Sequence, residues 1–165
     1  MCVSTDFVTI TAIVAKLEEK MPKVHKTVVL PYTAEQMYSL VEKVEDYPQF
    51  LPWCGGAVVH SRTEKSLEAS VTIAFKSLQQ TFRTSNVNEP FKTMTMHFKD
   101  GPFRYLTGTW LFTPIGDDEG VRVDFDLDYE FSNKLFALAI GPVFNLIAQT
   151  FIDGFISRAK VLYAQ

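Results

Sequence analysis

Cysteine is nearly absent from this chain. Cys2 and Cys54 are the whole complement, far apart, with one at the extreme terminus. They supply no C-x-x-C pair and no disulfide framework, so the chemistry suits a reducing cytosol. Histidine is almost as scarce: His25, His60 and His97 share no metal-ligand spacing, and no metal site can be read. There is no G-x-S-x-G elbow, no phosphate-binding glycine loop and no dinucleotide fingerprint. Runs of lysine and arginine are missing as well. With a net charge of −3 and a pI near 5.6, the domain lacks the broad electrostatic footprint of a nucleic-acid binder, and DNA is not expected as a partner, which leaves only a local basic patch for such contact.

Phenylalanine is abundant, with 14 residues in 165. Phe fills volume without needing a polar partner, so an interior rich in it can line a cavity as well as fill one. The length is that of one domain with a sizeable core. The first stretch stands apart. Phe7, Val8, Ile10, Ile13, Val14 and Leu17 form a short apolar run broken by Thr and Asp, with no basic region before it and no small-residue cleavage site. It is neither a signal peptide nor a membrane span. Residues 1–20 read as an N-terminal extension or a misassigned start, with Met21 as the natural start and 21–165 as the domain. An ordered amphipathic helix is the rival reading.

Lys23 to Leu30 is β-branched and reads as a strand stopped by Pro31. Thr33 is a good N-cap for a helix carrying Met37, Tyr38, Leu40, Val41 and Val44 at helical spacing. Two prolines then make Asp46 to Cys54 a turn or a short helix, ended by Gly55-Gly56. From 57 to 131 the signal is strand. The expected segments are Ala57–Arg62, Leu67–Lys76, Gln79–Asn86, Phe91–Phe98, Leu106–Thr113 and Val121–Phe131, with turns at Gly101-Pro102 and from Pro114 to Gly120. The last strand is the cleanest. Val121, Val123, Phe125, Leu127, Tyr129 and Phe131 alternate with Arg122, Asp124, Asp126, Asp128 and Glu130. Asn133 to Tyr163 reads as a long helix interrupted at Gly141-Pro142, where a proline should kink it or begin a second segment. It is apolar on more than one face, yet Asn145, Gln149, Thr150, Asp153 and Arg158 argue against a membrane span.

This order implies an α+β fold: an antiparallel meander with one long helix covering its apolar face. A curved sheet gripping a helix leaves a space between them, and the sizes of the lining residues decide whether that space is filled.

The run Tyr47-Pro-Gln-Phe-Leu-Pro-Trp-Cys54 resembles the hallmark of the coenzyme Q-binding START-like family, within the polyketide cyclase/START-like superfamily. Supporting matches are Gly101-Pro102-Phe103, Leu106-x-Gly108-x-Trp110-x-Phe112, the strand from Phe125 to Phe131, and Phe151 to Arg158. Together they cover Pro22 to the C-terminus. The resemblance implies a helix-grip fold with a hydrophobic tunnel. It also implies ubiquinone or a related polyprenyl lipid as ligand, carried in support of respiration, with no other cofactor. The family includes a ribosome association toxin, which adds the large ribosomal subunit as an alternative partner. The expected location is cytoplasmic, with transient contact at the inner membrane.

Three groups of residues are candidates for the ligand site. The connector supplies Tyr47, Phe50, Leu51 and Trp53, as the lip of a lipid opening or as a plug closing one end of the sheet. The strands supply Met94, Met96, Phe98, Trp110, Phe125, Leu127 and Tyr129, as pocket lining or core packing. The long helix supplies Phe144, Ile147, Ala148, Phe151 and Phe155, as a lid, with Gly141-Pro142 as a hinge or a static kink. Gly108 marks either a bend in the sheet or a close backbone contact. The acids at 124, 126, 128 and 130 are too spread for a metal and read as a solvated face paired with neighbouring cations. Ribosome binding would use Lys16, Lys20, Lys23, Lys26, Arg158 and Lys160. A cyclase would need a polar dyad, for which Tyr129 and Arg104 are the candidates; a reactive Cys54 lacks an adjacent base.

Overall fold

The computed structural model describes residues 23–163. The expectations for residues 1–20, Met21 and Cys2 lie outside them. Strand β1 is Lys23–Leu30, as expected, with Val24 and Leu30 facing the core. Helix α1, Ala34–Glu42, begins at a reciprocal cap. The Gln36 amide donates to Thr33 Oγ1 at 3.1 Å and the Thr33 amide donates to Gln36 Oε1 at 2.9 Å. A single 3₁₀ turn, Val44–Asp46, leads into the short helix α2, Tyr47–Phe50. Six strands follow: β2 Cys54–Thr63, β3 Ser66–Phe75, β4 Leu78–Glu89, β5 Thr93–Asp100, β6 Phe103–Ile115 and β7 Gly120–Phe131. The chain closes with α3, Lys134–Tyr163, capped where Asn133 Oδ1 accepts from the Phe136 amide at 2.8 Å.

The sheet is seven-stranded in the order β1-β7-β6-β5-β4-β3-β2, and every pairing is antiparallel. The first strand therefore lies beside the last, and α1 with α2 bridges the two edges. The inward residues of β7 all belong to the buried core. The closest approaches of α3 are to β7, β1 and α1, so the half of the sheet formed by β3 to β5 stands further from it. This is a helix-grip arrangement.

Four local expectations change. Gly55-Gly56 does not end the connector but lies inside β2, because a Cβ at Gly55 would come within 2.8 Å of the Ala74 Cβ. Phe91 is not in a strand; it sits in the turn before β5 with φ of +64°. β6 continues through Pro114 to Ile115, where it pairs with the start of β7. Gly141-Pro142 does not interrupt α3. Pro142 and Leu138 are both exposed, so the Leu138 carbonyl that loses its intrahelical donor can turn to water. By length and composition alone α3 could cross a membrane, with a mean hydropathy of 1.8, and Leu135, Leu138, Leu146 and Val161 lie exposed on it.

Arg62 of β2 holds the connector to the sheet. Its guanidinium donates to Glu42 Oε1 at 2.7 Å and to both carboxylate oxygens of Glu45, at 2.9 and 2.7 Å. The hydrogen bonds from Arg62 hold the Glu45 carboxyl below the usual carboxylate range. Those from Arg83 do the same for Glu68, and the one from Thr27 for Asp124. A carboxyl whose folded pKa is depressed stabilises the protein above its unfolded pKa and loses that contribution as pH falls through the folded one. The urea midpoint should therefore drop as pH is lowered from 7 towards 3. Arg62→Met should lower it at pH 7 and flatten the drop, read from denaturation curves at both ends of that range.

Candidate ligand-binding cavity

Between α3 and the far half of the sheet the side chains do not close. They leave a cavity of about 80 Å³ within about 780 Å³ of unfilled space that runs out to solvent. Val41 of α1, Val44, Tyr47 and Trp53 line it from the connector side, and Ala69, Val71 and Ile73 from β3. Phe82, Thr84 and Asn86 come from β4, Met94 and Met96 from β5, Leu106 and Trp110 from β6, and Phe125 and Leu127 from β7. Phe144, Ile147, Ala148 and Phe151 of α3 roof it. Small side chains make the room: Ala69 and Ala148 are buried and face it from opposite walls.

Gly108 makes room too. β5 and β6 run in register past it, so no bulge forms there. A Cβ at 108 would lie 2.2 Å from the Met96 Cε and 3.4 Å from Leu127 Cδ1. The glycine is thus a close contact, a seat for the Met96 methyl. Because that methyl ends a flexible side chain, Gly108→Ala should shift the melting temperature by only a few degrees. It should also push Met96 into the hollow and weaken ligand binding roughly tenfold, which titration of the two proteins would show.

Of the candidate residues, the structure brings Tyr47, Trp53, Met94, Met96, Trp110, Phe125, Leu127, Phe144, Ile147, Ala148 and Phe151 together around the cavity. It places Phe50, Leu51, Phe98, Tyr129 and Phe155 elsewhere. Phe155 is sealed between the rings of Tyr47, Phe50, Trp110 and Phe151, at centroid distances of 5.2, 5.5, 5.6 and 4.9 Å. Leu51 is buried against α3, where a Cβ on Gly154 would come within 2.5 Å of its Cδ2. The Arg158 guanidinium lies 5.4 Å over the Phe50 ring and donates to Gln49 Oε1 at 3.4 Å. Phe98 and Tyr129 join a second aromatic cluster with Phe103, Phe131 and Phe144, at the end of the sheet where β7 leads into α3.

The connector side chains divide between two places. Tyr47 and Trp53 reach the cavity, while Phe50 and Leu51 clamp α3. Missed in the sequence were Val41, Val44, Ala69, Val71, Ile73, Phe82, Thr84, Asn86 and Leu106. Strict alternation along β4 was the available signal, since its even-numbered positions face inward and include polar residues.

The lining has no acid or base that titrates near neutrality. Tyr47 is its one titratable group. Its hydroxyl donates to the Val41 carbonyl, and burial pushes its pKa well above the usual phenol range. Tyr129 is pushed up to about 12 by burial, and Arg104 points away from the core to an ion pair with Glu130 at 3.8 Å; neither lines the cavity. Burial also raises the pKa of the Cys54 thiol, which donates to the Gly56 carbonyl at 3.3 Å and stays protonated. Among the described residues no group of three His, Cys, Asp or Glu side chains is placed to hold a metal ion.

The acidic row of β7 is paired with neighbours. Lys23 meets Asp128 at 3.8 Å, His25 meets Asp126 at 2.6 Å, and Arg122 meets Asp124 at 3.1 Å. Asp124 departs from the expected solvated face: it is buried, and Thr27 donates to it at 2.6 Å. Of the basic residues considered for ribosome contact, Lys16 and Lys20 lie outside the described residues, and Lys23 and Arg158 are already engaged.

Residues 30–156 match the family model described as polyketide cyclase/dehydrase and lipid transport. The ribosome association toxin RatA of Escherichia coli K12 is 41% identical over 148 residues, covering 90% of this chain and 93% of that protein. The mitochondrial coenzyme Q-binding protein coq10 of Schizosaccharomyces pombe is 30% identical, covering 80% and 83%. An 18 kDa protein of Caulobacter crescentus, solved in solution, superposes with a TM-score of 0.69 at 28% identity, over 88% of this chain and all of its own. The Zhui aromatase/cyclase of Streptomyces shares the fold, with a TM-score of 0.69 at 12% identity over 86% and 96%.

Proposed function

The chain belongs to the polyketide cyclase/dehydrase and lipid transport family, and from that premise we propose that it binds a polyprenyl quinone or a related lipid in the cavity and carries it unchanged. The observation behind this reading is the lining itself: apolar side chains throughout, broken by Thr84 and Asn86, with no acid–base pair to do chemistry. Each buried CH₂ of such a ligand contributes about 0.8 kcal/mol, so a few isoprene units give useful affinity without a charged contact. The cavity is smaller than the ~150 Å³ void that admits benzene in an engineered protein, so a ring with a tail requires side chains to swing aside. Met96, Trp53, Phe82 and Phe151 are large half-buried lining residues able to do so. A carrier of this kind works in the cytoplasm and touches the inner membrane to load. The test is organic extraction of natively purified protein followed by mass spectrometry, with a prenyl lipid recovered in near-equal amount as the expected result. Repeated extraction without lipid, together with no uptake of added quinone, would overturn the reading.

A second reading has its own support in the 41% identity to a ribosome association toxin. In it the protein binds the large ribosomal subunit and blocks subunit joining. Cosedimentation with large subunits at physiological salt supports this reading, and an unchanged subunit profile on overexpression removes it.

A further inference from the structure

β4 turns a mixed face inward. Leu78, Gln80, Phe82, Thr84, Asn86 and Asn88 alternate along it, and Thr84, Asn86 and Asn88 are all buried. Asn86 is 5% exposed, lines the cavity, and pairs across the strands with Leu67 and Met96. Its Oδ1 has no hydrogen-bond partner. A desolvated amide oxygen left without a donor is a standing cost to the fold, one that a leucine of similar size would not carry. The Oδ1 of Asn88, further along the same face and beside the Tyr38 hydroxyl, is also unpartnered, but Asn88 does not line the cavity. Asn86 thus brings a buried, unsatisfied acceptor to the wall of a hollow that is apolar apart from it and Thr84.

We propose that Asn86 Oδ1 anchors the head group of the cavity's ligand, and that this ligand is a lipid whose head carries a hydroxyl. The proposal rests on the cavity being a lipid site. A carbonyl oxygen accepts only, so the head must donate. A hydroquinone donates through its hydroxyls; a benzoquinone and a hydroquinone dimethyl ether do not. Thr84 lies on the same face, and its hydroxyl can serve a second head-group oxygen in either role. A site with a buried group that needs a donor discriminates strongly against analogues lacking one.

The chain's tryptophans, Trp53 and Trp110, both line the cavity and report its occupancy by fluorescence. Three probes sharing a short prenyl tail would be titrated: a hydroquinone kept reduced, its benzoquinone, and its dimethyl ether. The expected result is that the hydroquinone binds at least roughly tenfold more tightly than the other two. Asn86→Leu should erase that gap, keep binding of the ether, and melt no lower than the parent protein. Equal binding of the three probes, a gap that survives Asn86→Leu, or a lower melting temperature for that variant would overturn the anchor while leaving lipid binding intact. Failure of all three probes to bind the parent protein would overturn the lipid reading and the anchor together.

Discussion

Replacing Ala148 with phenylalanine is expected to empty the protein of lipid while leaving it folded. Ala148 is 4% exposed and faces the cavity from α3, among Phe144, Ile147 and Phe151. A phenyl ring at this position enters existing space of about 80 Å³, so the wall moves less than in a filled core. The overpacking cost should sit at the low end of the usual ~1–3 kcal/mol. The ligand loses the same space, and the second hollow, near Phe103 and Phe131, is only about 10 Å³. Lipid recovered per mole of protein should fall at least roughly tenfold. Full recovery from the variant would place the ligand elsewhere on the molecule. An aspartate at Phe144 would be a poorer test, because that ring packs at 5.0 Å from Phe103 and 4.6 Å from Tyr129. A charge buried there would unfold the protein before it reported on binding.

Phe155→Ala should produce the largest loss of stability. The ring is 1% exposed and touches Tyr47, Phe50, Trp110 and Phe151, which joins the connector, the sheet and α3 at one point. Removing a buried phenyl costs about 3–5 kcal/mol, against a total stability of roughly 5–15 kcal/mol. For a domain of this size that corresponds to a fall of roughly 6–20 °C in melting temperature. Phe151→Ala is the matched control, one turn earlier on α3. That ring is half-buried and roofs the cavity, so its loss should cost less stability and change ligand affinity more. Urea denaturation and a lipid titration of both variants would separate the two roles. Similar stability losses with no change in affinity for either would assign Phe151 to the core as well.

The difference between these two phenylalanines shows where sequence reading stops. Both lie at helical spacing on the inner face of α3, and periodicity cannot tell them apart. It reports which side of an element faces inward but not how far the opposite wall stands. Phe98 and Tyr129 share the inward side of their strands with Met96 and Leu127, yet they pack into the second aromatic cluster because the sheet and helix meet at that end. The polar wall was missed for the opposite reason. Thr84 and Asn86 lie in a mostly polar strand, and buried polar residues are uncommon, so neither stands out as a lining candidate by its type.

The order of elements, the antiparallel meander, the capped first helix, the long last helix and the aromatic character of the connector are all legible along the chain. All of these rest on local chemistry: β-branched alternation, a threonine cap, and Pro31 at the end of the first strand. The tertiary structure alone decided that Gly108 seats a methionine, that α3 leans towards β1 and β7, and that a hollow with an unpartnered amide remains on the other side. Those outcomes depend on distances between segments far apart in the chain, and side-chain period along one segment carries no information about them.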